Sequence, residues 1–212
     1  MKKLFFAILC LGVFFHTNAQ DEDYDEDYEY VFDNHQFYLQ VGPSIPTGGE
    51  WKSFNRARVG FALDLGTAFY LKRLNRGLNG FGFGIDWNHL DISVNRFDAN
   101  TAGTGFNRIS FVSVGSELGP IASFHIADGL NVDGFYRVGP AMLFQTRSDG
   151  NGDLNGHVGW KHALGASVRY RAMKLSLEAD IGKLRETENN SNGQFLRRRG
   201  FHAFELKFGF SL

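Results

Sequence analysis

The strongest constraint on what this chain can fold into lies in its final residues. From Phe204 to the end, large apolar residues fall at every second position, Phe204, Leu206, Phe208, Phe210 and Leu212, and between them stand Glu205, Lys207, Gly209 and Ser211. Successive side chains of a strand point to opposite faces, so this is a strand with one apolar face and one charged or small face. A soluble sandwich strand with its apolar side inward fits the pattern. So does a membrane barrel, apolar toward lipid and polar toward the lumen.

The same period recurs upstream and predicts eight strands, at 37–44, 58–71, 80–94, 107–126, 130–145, 158–171, 174–185 and 200–212. In the second, Val59, Phe61, Leu63, Leu65, Phe69 and Leu71 oppose Arg58, Gly60, Ala62, Asp64, Gly66 and Ala68. In the third, Phe81, Phe83, Ile85 and Trp87 oppose Gly80, Gly82, Gly84 and Asp86, and beyond Trp87 the phase changes so that Leu90, Ile92 and Val94 come into step. A bulge produces such a change, as does emergence from an apolar zone. The connections alternate: 45–57, 95–106, 146–157 and 186–199 are long, 72–79 is shorter, and 127–129 and 172–173 are very short. Long loops at one end and short turns at the other are the habit of outer-membrane barrels, with both termini on the short-turn side. The 26 glycines, set against only 4 prolines, sit within the alternating runs, where they mark bends or close backbone approach. Negative mean hydropathy is no objection, because lipid and lumen faces cancel in the average.

Residues 1–19 read as an export signal: Lys2 and Lys3, an apolar run over 4–15, and Thr17-Asn18-Ala19 as a cleavage site. Cys10, the only cysteine, lies within that run, so the mature chain carries no disulfide. Residues 20–36 read as an acidic, disordered periplasmic tail, with seven acids and no base over 21–30. Beyond it the chain is mildly basic, with charges too scattered for a nucleic-acid partner.

From about Phe37 to Leu212 the sequence resembles the small eight-stranded outer-membrane barrels, the OmpA- and OmpX-like proteins, and most of all the outer-membrane β-barrel domains of Bacteroidetes. The final strand resembles the family's assembly signal, although it ends on Leu212 where an aromatic is typical. The resemblance implies an all-β, antiparallel up-and-down transmembrane barrel over 37–212, inserted by the barrel-insertion machinery through its C-terminal strand. Physics makes the same choice, since a closed barrel satisfies every backbone group internally and an open sheet in lipid does not.

Carried through every strand, the alternation predicts a lumen holding Asp64, Asp86, Glu117, Asp133, Glu178, Asp180 and Glu205 with Arg58, Arg137, Lys161, Arg169, Arg171 and Lys207. An eight-stranded barrel is only wide enough for its side chains to fill, so this nearly neutral set implies a plug of paired ions and not a conducting pore.

Site chemistry is sparse. Asp149, Asn151, Asp153 and Asn155 alternate like oxygen ligands of calcium, but Leu154 stands where an EF-hand requires glycine and Trp160 where it requires glutamate. Arg197, Arg198 and Arg199, on the long-loop side, are candidates for lipopolysaccharide phosphate contact. The histidines show no metal spacing, no G-x-S-x-G occurs, and no cofactor is expected. The sequence therefore points to a non-enzymatic outer-membrane protein with a structural or surface-interaction role carried by four long loops. An outer-membrane enzyme acting on lipid A or phospholipid stays open, because such sites are assembled across strands. A soluble lipocalin-like binder is the third reading, and it would need the aromatic face inside.

Overall fold

The computed structural model describes residues 35–49, 56–71, 75, 80–101, 105–147, 155–186 and 198–212. The acidic stretch, the export signal, Asp149, Asn151, Asp153 and Arg197 lie outside them, as do the side chains of Asn155, Arg198 and Arg199.

Eight strands follow in chain order: β1 (His35–Gly49), β2 (Arg56–Tyr70), β3 (Phe81–Thr101), β4 (Gly105–Ala127), β5 (Leu130–Arg147), β6 (Asn155–Tyr170), β7 (Met173–Glu186) and β8 (Arg198–Ser211). Each pairs antiparallel with the next, and β8 pairs back onto β1, so the sheet closes as an up-and-down barrel without an edge. At the seam Phe37 N donates to Leu212 O at 2.9 Å and Leu212 N to Phe37 O at 2.8 Å. Ser211 N reaches Ala172 O in the turn between β6 and β7, so the strand that opens the barrel and the one that closes it meet at the short-turn end.

The short turns need unusual backbone. Gly129, between β4 and β5, has φ +69°, and Arg171, between β6 and β7, has φ +53°. Arg171 N donates to Gly129 O at 2.7 Å, which ties these two turns together.

The expected long loop at 95–106 is instead mostly strand: β3 runs to Thr101 and β4 resumes at Gly105. Alternation there continues with an apolar inner side, on which Phe97 packs edge-on against Phe111 at 5.3 Å, and the hairpin stays paired.

The phase change in β3 is a bulge. Register shifts between Leu65 and Gly66 in the pairing with β2, and between Asn88 and Asp91 in the pairing with β4. Before it Gly82, Gly84, Asp86 and Asn88 are buried, and after it Asp91, Ser93, Asn95 and Phe97. His89 and Leu90 take up the extra position between these runs.

Three inward aromatics lie over glycines of the neighbouring strand: Tyr38 is paired with Gly66, Phe135 with Gly165, and Phe201 with Gly182. A β-carbon added at any of the three glycines would run into that ring. Glycine thus makes room for a large side chain in a narrow interior.

Candidate functional site

The inner face of β5 gives the order of layers along the barrel axis: Asp133, Phe135, Arg137, Gly139, Ala141 and Leu143, every one of them buried.

Nearest the short turns, Arg169 grips Asp133 with two donors, Nε to Oδ2 at 2.7 Å and Nη2 to Oδ1 at 2.8 Å. Ser123 and Ser167 donate to the same carboxylate at 2.6 and 2.8 Å, and Arg169 also reaches Tyr70. Such a bidentate, hydrogen-bonded pair satisfies its ions well enough to stay charged in a poorly hydrated place.

Above it sits an apolar ring of Ala68, Tyr70, Ile121 and Phe135. The Arg137 guanidinium lies over the Phe135 ring, 4.6 Å from its centroid, and Lys174 Nζ lies 3.8 Å from the centroid of Tyr38.

The middle of the barrel holds three cations among seven carboxylates. Arg137 pairs with Glu178 and reaches Asp86 at 3.4 Å, Asp64 at 3.5 Å and Glu117 at 3.6 Å. Lys207 contacts Asp64 at 2.5 Å, Glu178 at 2.9 Å and Glu205 at 3.0 Å. Lys161 contacts Asp91 at 2.7 Å, Asp180 at 2.9 Å and Glu117 at 3.2 Å. Tyr38 donates to Asp86 at 2.9 Å and accepts from Arg137 at 3.0 Å. Toward the long-loop end the interior becomes apolar again, where Phe97, Ile109, Phe111, Ala141, Leu143, Leu184, Phe201 and Ala203 form one cluster.

Two sequence expectations are corrected. Arg58 is exposed, because register breaks between Arg58 and Phe61, and both Arg58 and Val59 come to the outside. Arg171 is exposed too: β6 ends at Tyr170, and the left-handed turn directs the Arg171 guanidinium over the Tyr170 ring at 5.4 Å. In their place the interior holds Asp91 and Lys174. Asp91 is turned in by the β3 bulge, which the phase of Leu90, Ile92 and Val94 signalled. Lys174 shares the parity of Glu178 and Asp180. The remaining eleven of the expected lumen charges, Asp64, Asp86, Glu117, Asp133, Arg137, Lys161, Arg169, Glu178, Asp180, Glu205 and Lys207, are all buried. Among the described residues the interior therefore carries eight carboxylates and five cations, which is acidic and not nearly neutral.

The outer surface is the reverse of the interior. Large apolar side chains are exposed on every strand, among them Leu39, Phe61, Phe83, Leu118, Met142, Leu164, Leu177 and Phe208. A lipocalin-like pocket needs the opposite arrangement, with the aromatic face lining a cavity, and that reading falls.

Together these features define a class: a closed eight-stranded meander barrel, apolar all round its outside, with its interior filled by ion pairs between apolar layers. No family model and no curated protein matches the chain. Among solved structures it is similar to Ail, the attachment invasion locus protein of Yersinia pestis, solved in complex with the heparin analogue sucrose octasulfate. That likeness has 11% identity and a TM-score of 0.48, and covers 85% of this chain and 100% of Ail. It is also similar to Neisserial surface protein A, at 11% identity and TM-score 0.42, over 85% of this chain and 97% of that one. A third is the outer membrane protein OprG of Pseudomonas aeruginosa, at 12% identity and TM-score 0.40, over 84% and 95%.

Proposed function

We propose that this chain is an integral outer-membrane barrel, non-enzymatic and closed to ion flow, with a structural or surface-interaction role at its long-loop end. The observation that carries the reading is the exposed apolar surface on all eight strands around a charged interior. Monomeric soluble proteins rarely expose contiguous apolar patches beyond a few hundred Å². A bilayer covers such a band and demands the backbone closure that this sheet has. The leader over 1–19, cleaved after Ala19, supplies export, and the alternating β8 supplies the strand for the insertion machinery. The filled cross-section supports the absence of a pore, because charged and apolar layers succeed one another with no continuous aqueous path implied by either.

At the outer end, Arg96 on β3 and Lys183 and Arg185 on β7 are exposed, and β8 brings Arg198 into register with Arg185. Cations just above an apolar band suit the phosphates of lipopolysaccharide. The test of the main reading is fractionation with unheated gel electrophoresis. The expected result is recovery in the outer membrane and faster migration before boiling than after. Recovery of the exported chain as a soluble periplasmic monomer overturns it.

A further inference from the structure

Four of the central carboxylates, Asp91, Glu178, Asp180 and Glu205, converge from β3, β7 and β8. One oxygen of each lies within 4.8 Å of one oxygen of every other. All four side chains are sealed from solvent, none more than 1% exposed.

A second feature concerns their remaining bonds. In each residue the Oδ2 or Oε2 atom is held by a lysine: Lys161 takes Asp91 and Asp180, and Lys207 takes Glu178 and Glu205. The other oxygen of each, Asp91 Oδ1, Glu178 Oε1, Asp180 Oδ1 and Glu205 Oε1, is buried without a hydrogen-bond partner. Register sharpens the conflict, since Glu178 stands directly opposite Glu205 across the β7–β8 pair, and Asp64 opposite Asp91 across β2–β3. Like charges opposed in adjacent strands repel, and orphaned buried oxygens carry a full desolvation cost.

We propose that this cluster is a binding site for a hard divalent cation, calcium before magnesium. Charge supports it: the seven central carboxylates outnumber Arg137, Lys161 and Lys207 by four, and a divalent ion offsets half of that excess. Donor chemistry supports it, because carboxylate oxygens are the ligands of calcium and magnesium, not of soft metals. Dryness selects between the two: magnesium keeps several waters and is seldom caged by protein alone, whereas calcium accepts many protein oxygens, and this cluster is sealed from solvent. The ion would cross-brace β3 to β7 and β8 through the barrel interior, a link that the neighbouring-strand ladder does not provide. The site is independent of the calcium-like loop at 149–155 and of the membrane reading.

The full chain, refolded in detergent with calcium and then passed into calcium-free buffer, should retain roughly one equivalent of the metal. Its unfolding midpoint should exceed that of chain refolded with a chelator. Asp180→Asn and Glu205→Gln, which keep shape and remove a charge, should each lose both the metal and the calcium-dependent part of the midpoint. No retained calcium, with identical midpoints in calcium and chelator, overturns the site, and the carboxylates are then neutralised by protons. Variants that prove more stable than the parent in both conditions argue the same way, since relief of repulsion would be their whole effect. Equal retention of magnesium overturns the preference for calcium. Should a variant fail to fold, metal content and midpoint of the parent chain decide the matter.

Discussion

Arg169 and Asp133 form the best-satisfied pair inside the barrel, and they show what a buried ion contributes. Removing one partner strands the other in a poorly hydrated place, at about 3–5 kcal/mol. Arg169→Ala should therefore lower stability by that amount in urea unfolding of the refolded protein, with Asp133→Ala similar. Replacing both by apolar residues should cost less than the two single changes summed, a coupling that a double-mutant cycle reads directly. Arg171 makes a different point, because its φ of +53° is costly for any side chain with a β-carbon and most of all for a branched one. Arg171→Val should destabilise by about 1–2 kcal/mol, and Arg171→Asn, whose residue type tolerates this region, should be close to neutral. Unfolding midpoints of the two variants test the difference. At this scale the sequence was legible for most residues in the unbroken middle of a strand. Parity along β2 turns Asp64 inward and along β7 Glu178 and Asp180, and all three are buried, whereas Lys174, of the same parity, was left out of the expected set. Parity misplaced Arg58 and Arg171 because it presumes an unbroken strand, and one lies at a register break and the other beyond the strand's end. Nor could parity find Phe97, Leu143, Leu184 and Phe201, because an apolar residue in the inward phase gives no sign that the interior has turned apolar.

At the scale of the element, the extra residue in β3 decides how the centre of the barrel is built. The bulge at His89 and Leu90 turns the outer half of the strand by one position, which directs Asp91 toward Lys161 at 2.7 Å and Phe97 toward Phe111. Deleting Ile92, one position past Asp91 and with the bulge kept, shifts the rest of the strand by one and, with a side-chain period of two, sends Ser93, Asn95 and Phe97 outward. Two aspects should follow. The deletion should abolish the fast-migrating folded form on unheated gels, because it turns Asn95 to the apolar side and removes Phe97 from the outer apolar cluster. His89→Ala should keep it, since the extra position remains and only the 2.9 Å contact with Thr67 and packing on Trp87 are lost. Folding of the deletion variant with unchanged mobility would show that the phase of β3 does not set the interior. Strand number and order were readable from alternation and turn length alone. Strand ends were not: β3 continues seven residues past its predicted limit and β4 begins two residues before its own, because pairing of an apolar inner face persists after the outer face has become polar.

At the scale of the whole molecule, the claim that the outside meets lipid and the inside meets little water rests on sidedness, which an introduced cysteine can read. Cys10 is the chain's only cysteine and lies in the expected leader, so a new thiol in the mature barrel is unique. Ser113 on β4 is buried, 1% exposed, and serine to cysteine changes its shape little; Leu118 on the same strand is 49% exposed among the outward apolar residues. In intact outer membranes Leu118→Cys should react with a lipid-soluble maleimide and resist a charged one, as expected for a thiol among acyl chains. Ser113→Cys should react with neither until the protein is unfolded, because packed layers lie on both sides of it along the axis. An aqueous lumen predicts otherwise: a charged maleimide would reach Ser113→Cys in the folded protein, and planar-bilayer recording would show reproducible open steps of the order of nanosiemens, the behaviour of a wide barrel. Reaction of Ser113→Cys with the charged reagent would remove the closed-interior reading while leaving the barrel in the membrane. Reaction of Leu118→Cys with the charged reagent alone would remove the membrane itself, since the apolar band would then face water.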